Sequence, residues 1–140
     1  MRLLQLEYVE KLNHYLNLEY IESAFKLKVS SQNVGYVIKE EEKSISKLIG
    51  DQDNLILLDA KGKEFDSVRF AHFLQNLLNS RKNPAFIIGG PFGFSDEFKK
   101  NTGSGISLSK MTFTHQMTGL IFLEQLFRAM KILNNEKYHY

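Results

Sequence analysis

The stretch Leu55-Ile56-Leu57-Leu58-Asp59 decides the fold class. Four consecutive branched apolar residues, preceded by the turn-forming Gly50-Asp51-Gln52-Asp53-Asn54, suit a strand covered on both faces. A second such run, Pro84-Ala85-Phe86-Ile87-Ile88, stops at Gly89-Gly90. Between the two, Asp66 or Ser67 can cap a helix running to about Asn79, with Phe70, Phe73, Leu74, Leu77 and Leu78 on its inner side. Further on, Ser95 caps a short helix, Ile106 to Ser109 reads as a third strand, and His115 to about Asn134 as a long amphipathic helix. Strand and helix alternate throughout this half. The alternation predicts an α/β fold with a mainly parallel sheet and helices on both faces.

Toward the N-terminus the pattern is less sharp. Leu3 to Leu6 reads as a short first strand. From about Val9 to Phe25, Leu12, Tyr15, Leu16, Ile21 and Phe25 trace a roughly helical stripe. Lys26 to Ser31 and Gly35 to Ile38 are both strand candidates, and the pattern does not choose between them. Ile38 to Ile49 reads as helix, with Lys39-Glu40-Glu41-Glu42-Lys43 as its solvated start. There is no linker and no repeat, so a single domain over 1–140 is expected.

Composition removes several classes of function. The chain has no cysteine, which rules out disulfides, thiolate zinc sites and cysteine nucleophiles. Histidines stand at 14, 72, 115 and 139, none paired with another at ligand spacing, so no metal is expected. Met1 to Glu7 lacks the apolar core of a signal peptide, and no run of about 18 apolar residues occurs. The expectation is a cytoplasmic protein that does not span a membrane. A formal charge of +2 leaves nucleic-acid binding open.

In open parallel sheets, ligands bind beyond the carboxyl ends of the strands. Three such ends are distinctive: Leu58-Asp59-Ala60-Lys61-Gly62-Lys63, Ile88-Gly89-Gly90-Pro91-Phe92-Gly93 and Leu108-Ser109-Lys110-Met111-Thr112-Phe113. Each is bland alone. Gly-Gly-x-x-Gly lacks the spacing of the dinucleotide fingerprint and by itself suggests a tight turn. Taken singly, Ser109 and Thr112 are ordinary caps, Met111 and Phe113 are core, and His115 is a helix N-terminal residue.

Order and spacing say more. Phe86-Ile87-Ile88-Gly89-Gly90-Pro91-Phe92-Gly93-Phe94-Ser95 precedes Leu108-Ser109-Lys110-Met111-Thr112-Phe113-Thr114-His115-Gln116-Met117. Glu124-Gln125-Leu126-Phe127-Arg128-Ala129 and a terminal Tyr138-His139 follow. From roughly Leu55 to Tyr140 this series resembles the RlmH-type pseudouridine methyltransferases of large-subunit ribosomal RNA, a branch of the SPOUT superfamily. The resemblance is weak across the first fifty residues. It implies a deep trefoil knot in the C-terminal half, a homodimer, and S-adenosyl-L-methionine (SAM) held by Leu58, Gly90 and the segment Ser109, Lys110, Met111, Thr112, Phe113 and Thr114. The partner it implies is ribosomal RNA in the ribosome.

The resemblance also implies a chemistry. A pseudouridine N3 must lose its proton before it can attack a methyl group, and histidine has the right unperturbed pKa to take that proton. His139 is the expected base, assisted by Tyr138, with Arg128 on a phosphate or on the developing imide anion. Phe92, Phe94 and Tyr138 are available to stack on a splayed base. Three departures stand out: Gly119 where the family usually has arginine, Thr114 where proline is common, and Glu7-Tyr8 near the place of the usual Gly-Lys turn. They keep two other readings open, a SPOUT enzyme acting on another RNA and a SAM- or RNA-binding module without catalysis.

Overall fold

The apolar run at Leu55 becomes the middle strand of the sheet. The computed structural model describes residues 1–22, 33–90, 92–103 and 105–137. Among them are three strands, β1 (Asp53–Glu64), β2 (Asn83–Ile88) and β3 (Ile106–Ser107), in the order β2-β1-β3 and parallel throughout. The third strand is shorter than the expected Ile106 to Ser109. Five helices accompany them: α1 (Arg2–Leu12), α2 (Val34–Ser46), α3 (Ser67–Leu78), α4 (Asp96–Thr102) and α5 (His115–Leu133).

Alternate residues of a strand face opposite sides. Ile56 and Leu58 of β1, with Phe86 and Ile88 of β2, face a core shared with α1, α3 and α5. Leu57 and Ile87 face the other way, toward Phe94, Ile45 of α2 and Phe98 of α4. The α/β class, the parallel pairing and the helices on both faces are therefore as expected. On the larger face, Phe122 of α5 sits 4.7 Å from the ring of Phe86 and 6.0 Å from that of Phe70. Burying each such side chain contributes roughly 1.5–3 kcal/mol.

β1 does not stop at Asp59. It pairs with β2 as far as Leu58, steps out of register, and returns to β3 at Lys63 and Glu64. Asp59 forms the step: its Oδ1 accepts the Lys61 N–H at 3.2 Å, and the Lys99 ammonium pairs with it at 3.0 Å. Two glycines make the return possible. Lys63 donates its N–H to Gly105 O at 2.9 Å, and a Cβ at Gly62 or at Gly105 would strike backbone across the crossing.

The N-terminal half departs most from its sequence reading. Leu3 to Leu6 lie in α1, not in a strand. The inward residues are Gln5, Tyr8, Val9 and Leu12, a helical spacing that a polar Gln5 conceals. The helix ends at Leu12, short of the expected Phe25, and residues 23–25 are outside the described ones. Gly35 to Ile38 belong to α2, which Asn33 caps by accepting the Tyr36 N–H. The charge run is the middle of that helix rather than its start. Lys26 to Ser31 are outside the described residues.

Candidate functional site

Register brings the three distinctive strand ends together. Leu58 is the paired neighbour of both Ile88 and Ile106. Gly90, two residues past Ile88, and Ser109, three past Ile106, therefore leave the sheet at the same end as Leu58. Leu58 is buried and Gly90 and Ser109 are half-buried. Lys110, Met111, Thr112, Phe113 and Thr114 are all exposed, Met111 to 74% and Phe113 to 42%. Taken singly, these two apolar side chains read as core; they lie on the surface instead.

The third loop is ordered by its own hydroxyls. Ser107 Oγ donates to Ser109 O at 2.8 Å, and Ser109 Oγ accepts the Met111 N–H at 3.0 Å. Thr114 caps α5 by accepting the Met117 N–H at 3.3 Å. At the second loop, Gly93 donates its N–H to Gly90 O at 3.1 Å and closes a tight turn. Phe94 folds beneath that turn, buried and stacked 5.6 Å from Phe98. Of the two aromatics available for stacking or for packing around this turn, Phe94 packs in the core, whereas Phe92 is 44% exposed.

Two acidic residues of α2 hold this turn from the other side. Glu41 Oε2 accepts the Gly90 N–H at 3.2 Å. Glu42 accepts both the N–H and the hydroxyl of Ser95, each at 2.9 Å. Burial pushes the Glu41 carboxyl above its ordinary range, against the Gly90 N–H and nearby His115, which lower it. Asp59 goes the opposite way. Burial raises it, but Lys99 and Lys61 outweigh that and hold its carboxyl below the usual range. Glu41, Glu42 and Lys99 were missed in the sequence. One signal was available: Val37, Glu41 and Ile45 recur every four residues, which puts Glu41 on the inward face of α2.

The other expected site residues fall elsewhere. Arg128 is half-buried in α5 and pairs with Glu124 at 2.6 Å. It lies 13 positions after His115. At 1.5 Å per residue that is about 20 Å along the helix from Thr114. Tyr138 and His139 are outside the described residues. Gly119 is buried against α1, where a Cβ would come within 3.3 Å of Gln5 Nε2 and of the Tyr20 hydroxyl. Gln5 donates from that nitrogen to Gln116 O at 3.0 Å, so the small residue lets the two helices meet. A hollow of about 290 Å³ is lined by Asn54, Leu55, Phe73 and Leu77, and by Lys63 and Ile106 where β1 returns to β3; it contains neither Gly90 nor Ser109.

The family model described as predicted SPOUT methyltransferase matches residues 1–139. The chain belongs to the SPOUT methyltransferase family. Its relatives include proteins named Ribosomal RNA large subunit methyltransferase H. That of Cytophaga hutchinsonii is 48% identical over 137 residues, covering 96% of this chain and 86% of the relative. Those of Parabacteroides distasonis (43% identical; 96% and 86% covered) and Christiangramia forsetii (41%; 95% and 85%) are similar to it over nearly the same span. The resemblance read from Leu55 onward is borne out, and it extends through the N-terminal half as well. Among the described residues, no three His, Asp or Glu stand close enough to hold a metal ion, and no helix is long and apolar enough to cross a membrane.

Proposed function

We propose that this chain transfers a methyl group from SAM to the N3 of a pseudouridine in large-subunit ribosomal RNA, on the assembled ribosome in the cytoplasm. One observation carries the reading. Leu58, Gly90 and Ser109 converge at one sheet end, in a chain 48% identical to a protein named for large-subunit ribosomal RNA methylation. The residues there suit the donor. Main chain at two loops, an exposed apolar pair and one carboxylate form a surface for a flat adenosyl group and a cationic sulfonium. When bound, SAM supplies an electrophilic methyl carbon on a sulfonium.

Leu58 and Gly90 form the inner wall, and the main chain of Ser109 to Thr114 grips the adenine. A trefoil knot through these loops would keep that wall rigid, and orientation of this kind accounts for much of the acceleration. His139 takes the N3 proton with Tyr138 beside it, and Arg128 anchors a phosphate or the imide anion. In its own chain Arg128 is about 20 Å from Thr114 along α5. That separation favours a homodimer in which the C-terminal end of one copy serves the loops of the other. Lys61 and Lys110 border the site and supply cationic contacts for RNA phosphates.

The departure at position 119 gains an explanation in packing. Gly119 lies under α1, so its lack of a side chain needs no loss of catalysis to account for it. The test is methyl transfer from labelled SAM to intact ribosomes, to free ribosomal RNA and to tRNA. Label in large-subunit ribosomal RNA of intact ribosomes is the expected result. Label in tRNA would move the substrate to another RNA, and no label would leave a binding module.

A further inference from the structure

Glu41 is the one side chain of α2 that reaches the Gly90 main chain by a hydrogen bond among the described residues. Its neighbours on the same helix face, Val37 and Ile45, are apolar, so a carboxylate there has a desolvation cost that a leucine would avoid. The contact is close: a Cβ at Gly90 would collide with the Glu41 carboxylate before meeting anything else. His115, the first residue of α5 and the one that follows Thr114, is near enough to act on it electrostatically. Glu41 thus stands between two of the three loops assigned to the donor. Structural stapling of the turn is already provided by Glu42 on Ser95.

We infer that Glu41 is a donor-selecting residue, whose carboxylate at the Gly90 N–H favours the cationic sulfonium donor over its neutral thioether product. The inference rests on the SAM-dependent reading of the site. SAM and S-adenosylhomocysteine have nearly the same shape and differ by one positive charge, so a fixed negative charge is the direct way to tell them apart. A half-buried charge acts more strongly than one in open water, because fewer water dipoles screen it. Selection of this kind would let the product leave after each methyl transfer.

Glu41→Gln separates charge from hydrogen bonding. Glutamine keeps an oxygen for the Gly90 N–H and loses the charge, whereas Glu41→Ala loses both. Affinities for SAM, S-adenosylhomocysteine and sinefungin, which carries an ammonium in place of the sulfonium, are measured by calorimetry at about pH 8, well above the ordinary carboxyl range. Glu41→Gln is expected to weaken SAM and sinefungin about tenfold and S-adenosylhomocysteine less than twofold. Glu41→Ala is expected to weaken all three. Equal changes for the three ligands in Glu41→Gln, or none, would overturn the inference and leave Glu41 a plain anchor. Wild-type protein that binds product as tightly as donor contradicts it without any variant. Wild-type protein that binds none of the three fails the SAM-dependent reading itself.

Discussion

On one face of the sheet, α1, α3 and α5 bury Phe70, Leu74, Phe122, Leu126 and Met130 against Ile56 and Leu58. On the other, the buried cluster is Leu57, Ile87 and Phe94, and polar contacts complete it: Glu41 on Gly90, Glu42 on Ser95, Lys99 on Asp59. The larger face has the apolar area that resists unfolding. The smaller face has less to lose and borders the loops where the donor is proposed to bind. Local stability is expected to follow the same division, since regions with few buried apolar contacts open most readily. Part of the apolar surface of α5 is covered by α1 and the residues just after it, with Tyr8 and Tyr15 edge-on to Phe127.

The largest expected effect concerns the last three residues. Deleting Tyr138 to Tyr140 should slow single-turnover methyl transfer to ribosomes by about a hundredfold to ten-thousandfold, the usual worth of a lost general base. Melting temperature and SAM affinity should stay near wild type. If the deletion transfers methyl groups at the wild-type rate, the terminal Tyr-His pair takes no part in the chemistry. On the larger face, Leu74→Ala should cost about 2–5 kcal/mol in urea unfolding, because Leu74 is only 2% exposed and leaves a cavity between α3 and α5. SAM affinity of the folded protein should be unchanged. A loss of affinity there would erase the division between the faces.

The smaller face should behave in reverse. Ser95→Ala removes the cap of α4 and the hydroxyl that Glu42 holds, at about 1 kcal/mol of stability. Because Glu42 keeps the Ser95 N–H but loses the hydroxyl, the Gly90 turn is held by fewer bonds, and SAM affinity should fall by more than the stability change alone implies. Unchanged affinity would show that the Ser95 hydroxyl contact with Glu42 does not shape the donor loop.

The smallest effect is the pH response of Asp59. Its folded pKa is depressed, so the unfolded chain binds the extra proton as pH falls. The pair with Lys99 therefore stabilises fully above the ordinary carboxyl range, near pH 4, and is lost progressively as pH falls from there through the lower pKa of the folded state. Asp59→Asn should reduce stability at neutral pH by under about 1 kcal/mol, and the reduction should shrink as pH falls through the depressed pKa of the folded carboxyl. A difference as large in acid as at neutrality would mean the ion pair is not the cause.

Much of the larger face was legible because its signals are local. The runs at Leu55 and Pro84 are too apolar for an exposed strand, and Asp66 caps the helix that follows it, as Ser95 does on the smaller face. The N-terminal half was not, since Leu3 to Leu6 is too short to distinguish a strand from a helix and its inward neighbour Gln5 is polar. The return of β1 to the sheet at Lys63 depends on Gly62 meeting Gly105 across more than forty residues, which no local pattern records. For the site, the Gly90 turn and the Ser109 loop stood out by their glycines and hydroxyls. Glu41 was hidden in a charge run that reads as solvated, and only its four-residue spacing from Val37 and Ile45 marks it as facing inward.

The most direct test of the account is mass spectrometry of ribosomal RNA from cells with and without this gene. The account predicts a methyl group at N3 of one large-subunit pseudouridine, lost with the gene and restored by the wild-type chain but not by the chain lacking Tyr138 to Tyr140. Large-subunit ribosomal RNA with the same methylation in both strains would contradict it.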